Sequence, residues 1–145
     1  MQPTRVVVAD DNANIRKSIR TILDKDPGID VVGEASNGVE ALQNISLHSP
    51  DVLLLDMEMP VMDGLGVVRQ LSASEAPVKI LVLSAYDDEH YVNGVLAHGV
   101  AGYLTKDEAP YRIAEAIRRV ADGENGFFSK RVETKLSAPP GMDEV

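Results

Sequence analysis

The chain has 145 residues, 44% hydrophobic, 26% charged and only 4% aromatic, which fits one globular domain with an aliphatic core. Against 14 basic residues stand 23 acidic ones, a formal net charge of −9, which disfavours electrostatic capture of nucleic acid or an anionic membrane and suits a divalent cation. There is no cysteine, so disulfides and thiolate metal sites are excluded; no signal peptide is read at the start and no apolar run is long enough for a membrane span, and the expectation is a cytoplasmic protein.

The first apolar run, Val6-Val7-Val8-Ala9, is continuous rather than alternating, as in a strand covered on both faces, and ends in Asp10-Asp11. Ile15, Ile19, Ile22 and Leu23 follow at helical spacing, stopped by Asp26-Pro27-Gly28. A weaker strand runs from Ile29 to Ala35, then a helical stripe of Val39, Leu42 and Ile45 closes near Ser49-Pro50. Val52-Leu53-Leu54-Leu55 is a second continuous strand, ending in Asp56, and Leu65, Val68 and Leu71 mark a third helix. Ile80-Leu81-Val82-Leu83 ends in Ser84, and Val92, Val95 and Leu96 predict a fourth helix ended by Gly99. Gly102-Tyr103-Leu104-Thr105 runs into Lys106; Ile113, Ile117, Val120 and Ala121 make a fifth helix, with Pro110 in its first turn and Gly123 just past its end.

Five strand-then-helix repeats predict an open α/β fold, a parallel sheet with helices on both faces. Residues 1–125 read as one domain and 126–145 as a C-terminal extension and linker. Residues 126–136 could extend the last helix or pack beside it, while Ser137-Ala138-Pro139-Pro140-Gly141 has linker composition. A linker there suggests a chain cut from a longer one; a natural frayed terminus is the alternative.

In open α/β sheets, ligands bind beyond the carboxyl ends of the strands. Four of the five predicted strand ends carry carboxylates, a hydroxyl or a cation: Asp10-Asp11, Asp56, Ser84 and Thr105-Lys106. Each has a bland reading alone. Asp11 and Asn12 could cap the next helix, Asp56 could be a turn residue, Ser84 could open a helix and Lys106 could be solvated. Together they face one rim. Three carboxylates beside one cation call for a counter-charge, and hard oxygen donors suit Mg²⁺. A carboxylate can also attack phosphorus to give an acyl phosphate, with Lys106 neutralising the phosphoryl charge and the Ser84 hydroxyl donating to its oxygens. His48, His90 and His98 are scattered, Met57, Met59 and Met62 read as gap fillers, Gly64-Leu65-Gly66 lacks the lysine of a phosphate loop, and Arg118-Arg119 reads as a solvated face.

The strand-end set, with Asp56-Met57-Glu58-Met59-Pro60-Val61-Met62-Asp63-Gly64 and Gly99-Val100-Ala101-Gly102-Tyr103-Leu104-Thr105-Lys106, resembles the receiver domain of two-component response regulators, from about Thr4 to Gly123. The resemblance implies a single doubly wound (βα)5, flavodoxin-like domain with five parallel strands in the order 2-1-3-4-5, an order for which a response regulator is a standard example. It implies that Asp56 accepts a phosphoryl group from a sensor histidine kinase as a stoichiometric switch rather than an enzyme. It implies Mg²⁺ (or Mn²⁺) held by Asp11, Asp56 and the backbone carbonyl of Glu58, with Asp10 acting through water. Lys106 and Ser84 would stabilise the phosphoryl group, and Ser84 and Tyr103 would shift together. The fourth helix, fifth strand and fifth helix, with Tyr91, Tyr103 and Tyr111, would form the readout face, with a homodimer possible on phosphorylation. Asp107 stands where many receivers have proline after the lysine, and Gly-Tyr-Leu-Thr-Lys-Asp resembles the NarL/LuxR-type subfamily. That subfamily implies control of transcription through a helix-turn-helix DNA-binding domain outside this chain, and no membrane partner. Glu58 either sits at the site mouth or is a solvated side chain whose backbone alone matters.

Two rivals remain at this level. A haloacid-dehalogenase-type phosphohydrolase also uses a strand-end Asp with a second acid two residues on, as in Asp56-Met57-Glu58, but there the nucleophile precedes the metal-binding acids, whereas here Asp10-Asp11 come first. The other is a receiver-like interaction module that is never phosphorylated.

Overall fold

The computed structural model describes residues 2–85, 95 and 97–124, together with the backbone of 127–128. Strands β1 (Thr4–Ala9), β2 (Ile29–Ala35), β3 (Val52–Asp56), β4 (Lys79–Ser84) and β5 (Gly102–Thr105) form a parallel sheet in the order 2-1-3-4-5, as expected. Helices α1 (Ala13–Asp24), α2 (Gly38–His48) and α3 (Gly64–Ala73) follow the first three strands, and α4 (Ala109–Ala121) follows β5. The fourth predicted helix falls outside the described residues except for Val95, which is buried in the core.

The continuous apolar runs are explained by a sheet covered on both faces. Val7, Leu53, Leu55 and Val82 pack on one face against Ala41 of α2 and Val67, Val68 and Leu71 of α3. Val6, Val8, Leu54, Leu81 and Leu104 pack on the other against Ile19 and Leu23 of α1 and Ile113, Ile117 and Val120 of α4. Alternate residues of one strand thus feed two separate cores, and burying each of these side chains contributes about 1.5–3 kcal/mol.

Two features depart from the sequence reading. In α2 the buried positions are Gly38 and Ala41, while Val39 is 38% exposed. The loop after β3 comes so close that a Cβ on Gly38 would lie 2.3 Å from the Met62 carbonyl oxygen, so a glycine forms this contact, while Leu42 and Ile45 pack against the core as expected. The second departure is a two-residue strand, β6 (Phe127–Phe128), which pairs in parallel with Gly102 and Tyr103 at the open edge of β5. Gly123, at φ +94, turns the chain out of α4 in a conformation that favours glycine.

Candidate functional site

The register of the strands assembles the rim. Ala9 pairs with Leu55, so Asp10 emerges beside Asp56; Asp56 pairs with Leu83, so Ser84 follows; Ser84 pairs with Thr105, so Lys106 follows. Asp10, Asp56, Ser84 and Thr105 are the buried polar or charged side chains among the described residues. Each strand-end residue singled out in the sequence is therefore brought to one place.

The turn from β1 into α1 is held by local bonds. The Asp10 N–H donates to the Ala35 carbonyl at 3.0 Å, and Asp10 Oδ1 accepts from the Asn12 N–H at 2.9 Å. The Asn12 side chain caps α1 by accepting from the N–H groups of Asn14 and Ile15. This leaves Asp11 exposed at the rim with its carboxylate turned toward the other two.

Lys106 Nζ stands 3.2 Å from Asp10 Oδ2 and 3.3 Å from Asp56 Oδ1. Burial, opposed by the charges of Asp56 and Asp10, pulls the lysine down, and the net result is a pKa above the usual lysine value. The Asp56 carboxyl is pushed up to about 6, first by burial and then by the Asp10 charge, with Lys106 and the Glu58 N–H opposing. The Glu58 N–H approaches Asp56 Oδ1 at 3.4 Å, and the Glu58 side chain is exposed, so its backbone faces the site while its carboxylate meets solvent. Ser84 and Tyr103 are both buried, Tyr103 completely, with the tyrosine ring already in the core.

The donor set fits a divalent cation. Oxygens of Asp10, Asp11 and Asp56 lie within 4.8 Å of one another. Asp10 Oδ2 is buried, and the ammonium 3.2 Å away that faces it is shared with Asp56. A buried carboxylate oxygen in that state is costly and is satisfied by a cation. Beside the cluster lies an open depression of about 540 Å³ lined by Asp11, Met57, Glu58, Met59, Pro60 and Asp63. A more enclosed apolar cavity of about 310 Å³ lies between α1 and α4 and touches the cluster only at Asn12 and Lys106.

The sequence reading missed two features of this rim. Val61 is 84% exposed at φ +69, the centre of a tight turn in which the Met62 N–H donates to the Pro60 carbonyl at 2.7 Å. Nothing in a valine signals that conformation. Arg16, one turn into α1, donates from NH1 to the Asp10 carbonyl at 2.6 Å. No local sequence signal marks that contact, because its partner is a backbone carbonyl outside the helix.

Residues 6–118 match the response regulator receiver domain family. The chain is 40% identical to the oxygen regulatory protein NreC of Staphylococcus epidermidis over 91% of its own length and 61% of that protein. It is 40% identical to the response regulator UvrY of Escherichia coli over 86% of its length and 57% of that protein. Among solved structures, the signal receiver domain of the putative response regulator NarL from Mycobacterium tuberculosis superposes with a TM-score of 0.82 at 39% identity, covering 86% of this chain and all of that one. The chain spans about half to three-fifths of the length of the curated relatives it matches. With its strand order, its strand-end carboxylates and its lysine in place, this chain belongs to the receiver domains of two-component response regulators, in the NarL/LuxR-type subfamily.

Proposed function

We propose that the chain is a phosphorylation-controlled switch in which Asp56 is the phosphoacceptor. The observation that carries this reading is the cluster of buried Asp10 and Asp56 with half-buried Lys106, in which one ammonium is shared between two carboxylates and Asp11 adds a third beside them. Such a site is short of positive charge and ready for a cation and a phosphoryl group. Receivers are signalling proteins rather than conventional enzymes, and the phosphoryl group here is accepted once per molecule.

The ionised Asp56 attacks the phosphorus of a phosphodonor, the phosphohistidine of a sensor kinase or a small acyl phosphate. An O–P bond forms, the donor's P–N or P–O bond breaks, and the leaving group departs with the bonding pair. Asp11, Asp56 and the Glu58 backbone carbonyl would hold Mg²⁺ or Mn²⁺, with Asp10 acting through water, and the ion would supply charge neutralisation at the phosphoryl group. Lys106 lies where it can neutralise the same charge, and the Ser84 hydroxyl donates to a phosphoryl oxygen. A phosphoryl group adds a charge of about −1.5 to −2, so the conformation placing Ser84 and Lys106 closest is favoured, with Tyr103 moving with Ser84. The output is transcription, through a DNA-binding domain beyond these residues, with pairing of two receivers on phosphorylation. The relatives' names, an oxygen regulatory protein and transcriptional regulatory proteins among them, support that output. A cytoplasmic location fits the absence, among the described residues, of any helix long and apolar enough to cross a membrane.

Incubation with Mg²⁺ and acetyl phosphate, followed by intact-mass measurement, tests this. The expected result is one labile phosphoryl adduct, not formed when EDTA is present from the start and absent in Asp56→Asn. The absence of an adduct under conditions that label a control receiver overturns the reading in favour of an unphosphorylated interaction module, and sustained turnover of an unrelated phosphomonoester overturns it in favour of a phosphohydrolase.

A further inference from the structure

The Asp10 carbonyl falls at a gap in the backbone scheme. The last bond between β1 and β2 uses the Asp10 N–H, and the first helical bond of α1 runs from the Arg16 N–H to the Asn12 carbonyl. The Asp10-Asp11 turn lies between them, outside both ladders. The Arg16 side chain fills that gap, with NH1 donating to the Asp10 carbonyl at 2.6 Å. The guanidinium is held in turn. Its Nε lies 3.4 Å from Glu34 Oε1 on β2, with the Arg16 side chain 19% exposed. Glu34 is also paired, through Oε2, with Arg20 NH1 at 2.6 Å. Arg20 reaches Asp24 only at 3.9 Å, where the network meets solvent.

We infer that Arg16, clamped by Glu34, is a positioning residue that fixes the Asp10-Asp11 turn for cation binding. This rests on the phosphoacceptor reading. Arg16 does not touch the carboxylate cluster through its own charge; it pins the peptide from which two of the three carboxylates project. Two-point attachment is what a guanidinium fork provides and an ammonium does not: one nitrogen bonds the carbonyl while another faces Glu34. Groups that orient metal ligands from behind typically alter metal affinity about 10–100-fold when removed.

The sign of the effect separates positioning from plain electrostatics. Arg16 is a cation near a cation site. If only its charge mattered, removing it would tighten Mg²⁺ binding; if it positions the turn, removing it weakens binding. The experiment is calorimetric titration of Mg²⁺ into the EDTA-stripped 145-residue chain, with circular dichroism melting of each variant. Arg16→Ala is expected to weaken Mg²⁺ binding about 10-fold. Arg16→Lys, which keeps the charge but not the two-point hold, is expected to fall between it and the wild type. Arg20→Ala, which removes an equal charge but leaves the bond to Asp10, is expected to bind as the wild type or slightly more tightly. If Arg16→Ala is unfolded at the titration temperature, Arg16→Lys decides. Unchanged or tighter Mg²⁺ binding by the folded Arg16 variants overturns the inference alone, because the wild type still binds. A wild type that binds no Mg²⁺ overturns the metal-dependent reading and this inference with it.

Discussion

The two ends of one sheet are built to opposite rules. At the amino end of the strands, hydrogen bonds and an ion pair tie the connecting turns together. The Arg5 N–H donates to Asp51 Oδ2 at 2.8 Å, Arg5 NH1 donates to the His48 carbonyl at 2.6 Å, and the Lys79 N–H donates to the Asp51 carbonyl at 3.0 Å. Arg118 pairs with Asp26 at the same end, closing α4 onto the turn before β2. At the carboxyl end, three carboxylates cluster, one lysine is shared between two of them, and Asp56 is pushed up to about 6. The same strands therefore supply a closed, structural rim and an open rim that is costly until it is filled. Stability is given up at the end where chemistry is placed.

Changes at the open rim should have large effects on phosphorylation, and changes at the closed rim almost none. The largest effect is expected from Lys106→Ala, which removes the cation between Asp10 and Asp56. Adduct formation from acetyl phosphate should slow on the order of 100-fold, as when one preorganised charge donor is lost from a transition state. Slowing of less than a few-fold would place phosphoryl neutralisation elsewhere.

The next effect concerns stability, with Mg²⁺ absent. The Asp56 pKa is raised from 3.8 to about 6 in the folded chain. A raised folded-state value means that this group's contribution is fully present below about pH 4 and is lost as pH rises through about 6. At pH 7.5 the ionised, buried Asp56 thus costs at most about 3 kcal/mol. Urea unfolding should find Asp56→Asn more stable than the wild type at pH 7.5, with the gap shrinking toward pH 4. A gap independent of pH would show that burial and the Asp10 charge do not disfavour ionisation here. Added Mg²⁺ should narrow the gap, since a ligand at 100 times its Kd stabilises the folded state by about 2.7 kcal/mol and Asp56→Asn loses part of that. The smallest effect belongs to the closed rim: Arg118→Ala breaks a half-exposed ion pair and should cost less than about 1 kcal/mol, with Mg²⁺ binding and adduct formation unchanged.

The contrast between the rims was only half legible in the sequence. β3 was the plainest element, because all five of its residues are buried and a strand covered on both faces has to be written as a continuous apolar run. The site was legible for a related reason: parallel strands all end on the same side, so Asp10, Asp56, Ser84 and Lys106 share a rim once the strands are found. What could not be read were the features set by close approach between segments far apart in the chain. On α2, Leu42 and Ile45 do pack against the core, but Val39, which looks like core, is exposed, because the approach of Met62 reserves the neighbouring contact for Gly38. β6 has two residues, too short to show a period. Arg16 carries no local signal that its partners are the Asp10 carbonyl and Glu34, which lie on two neighbouring strand ends.

The central claim is that the acceptor is Asp56 and not either of its acidic neighbours. The direct measurement is to phosphorylate the chain with acetyl phosphate and Mg²⁺, reduce the acyl phosphate with borohydride, and locate the resulting homoserine by peptide mass spectrometry. The prediction is homoserine at position 56, with Asp10 and Asp11 unmodified. Homoserine at position 10 or 11, or no reduced residue despite a stable phosphoryl adduct, would contradict it.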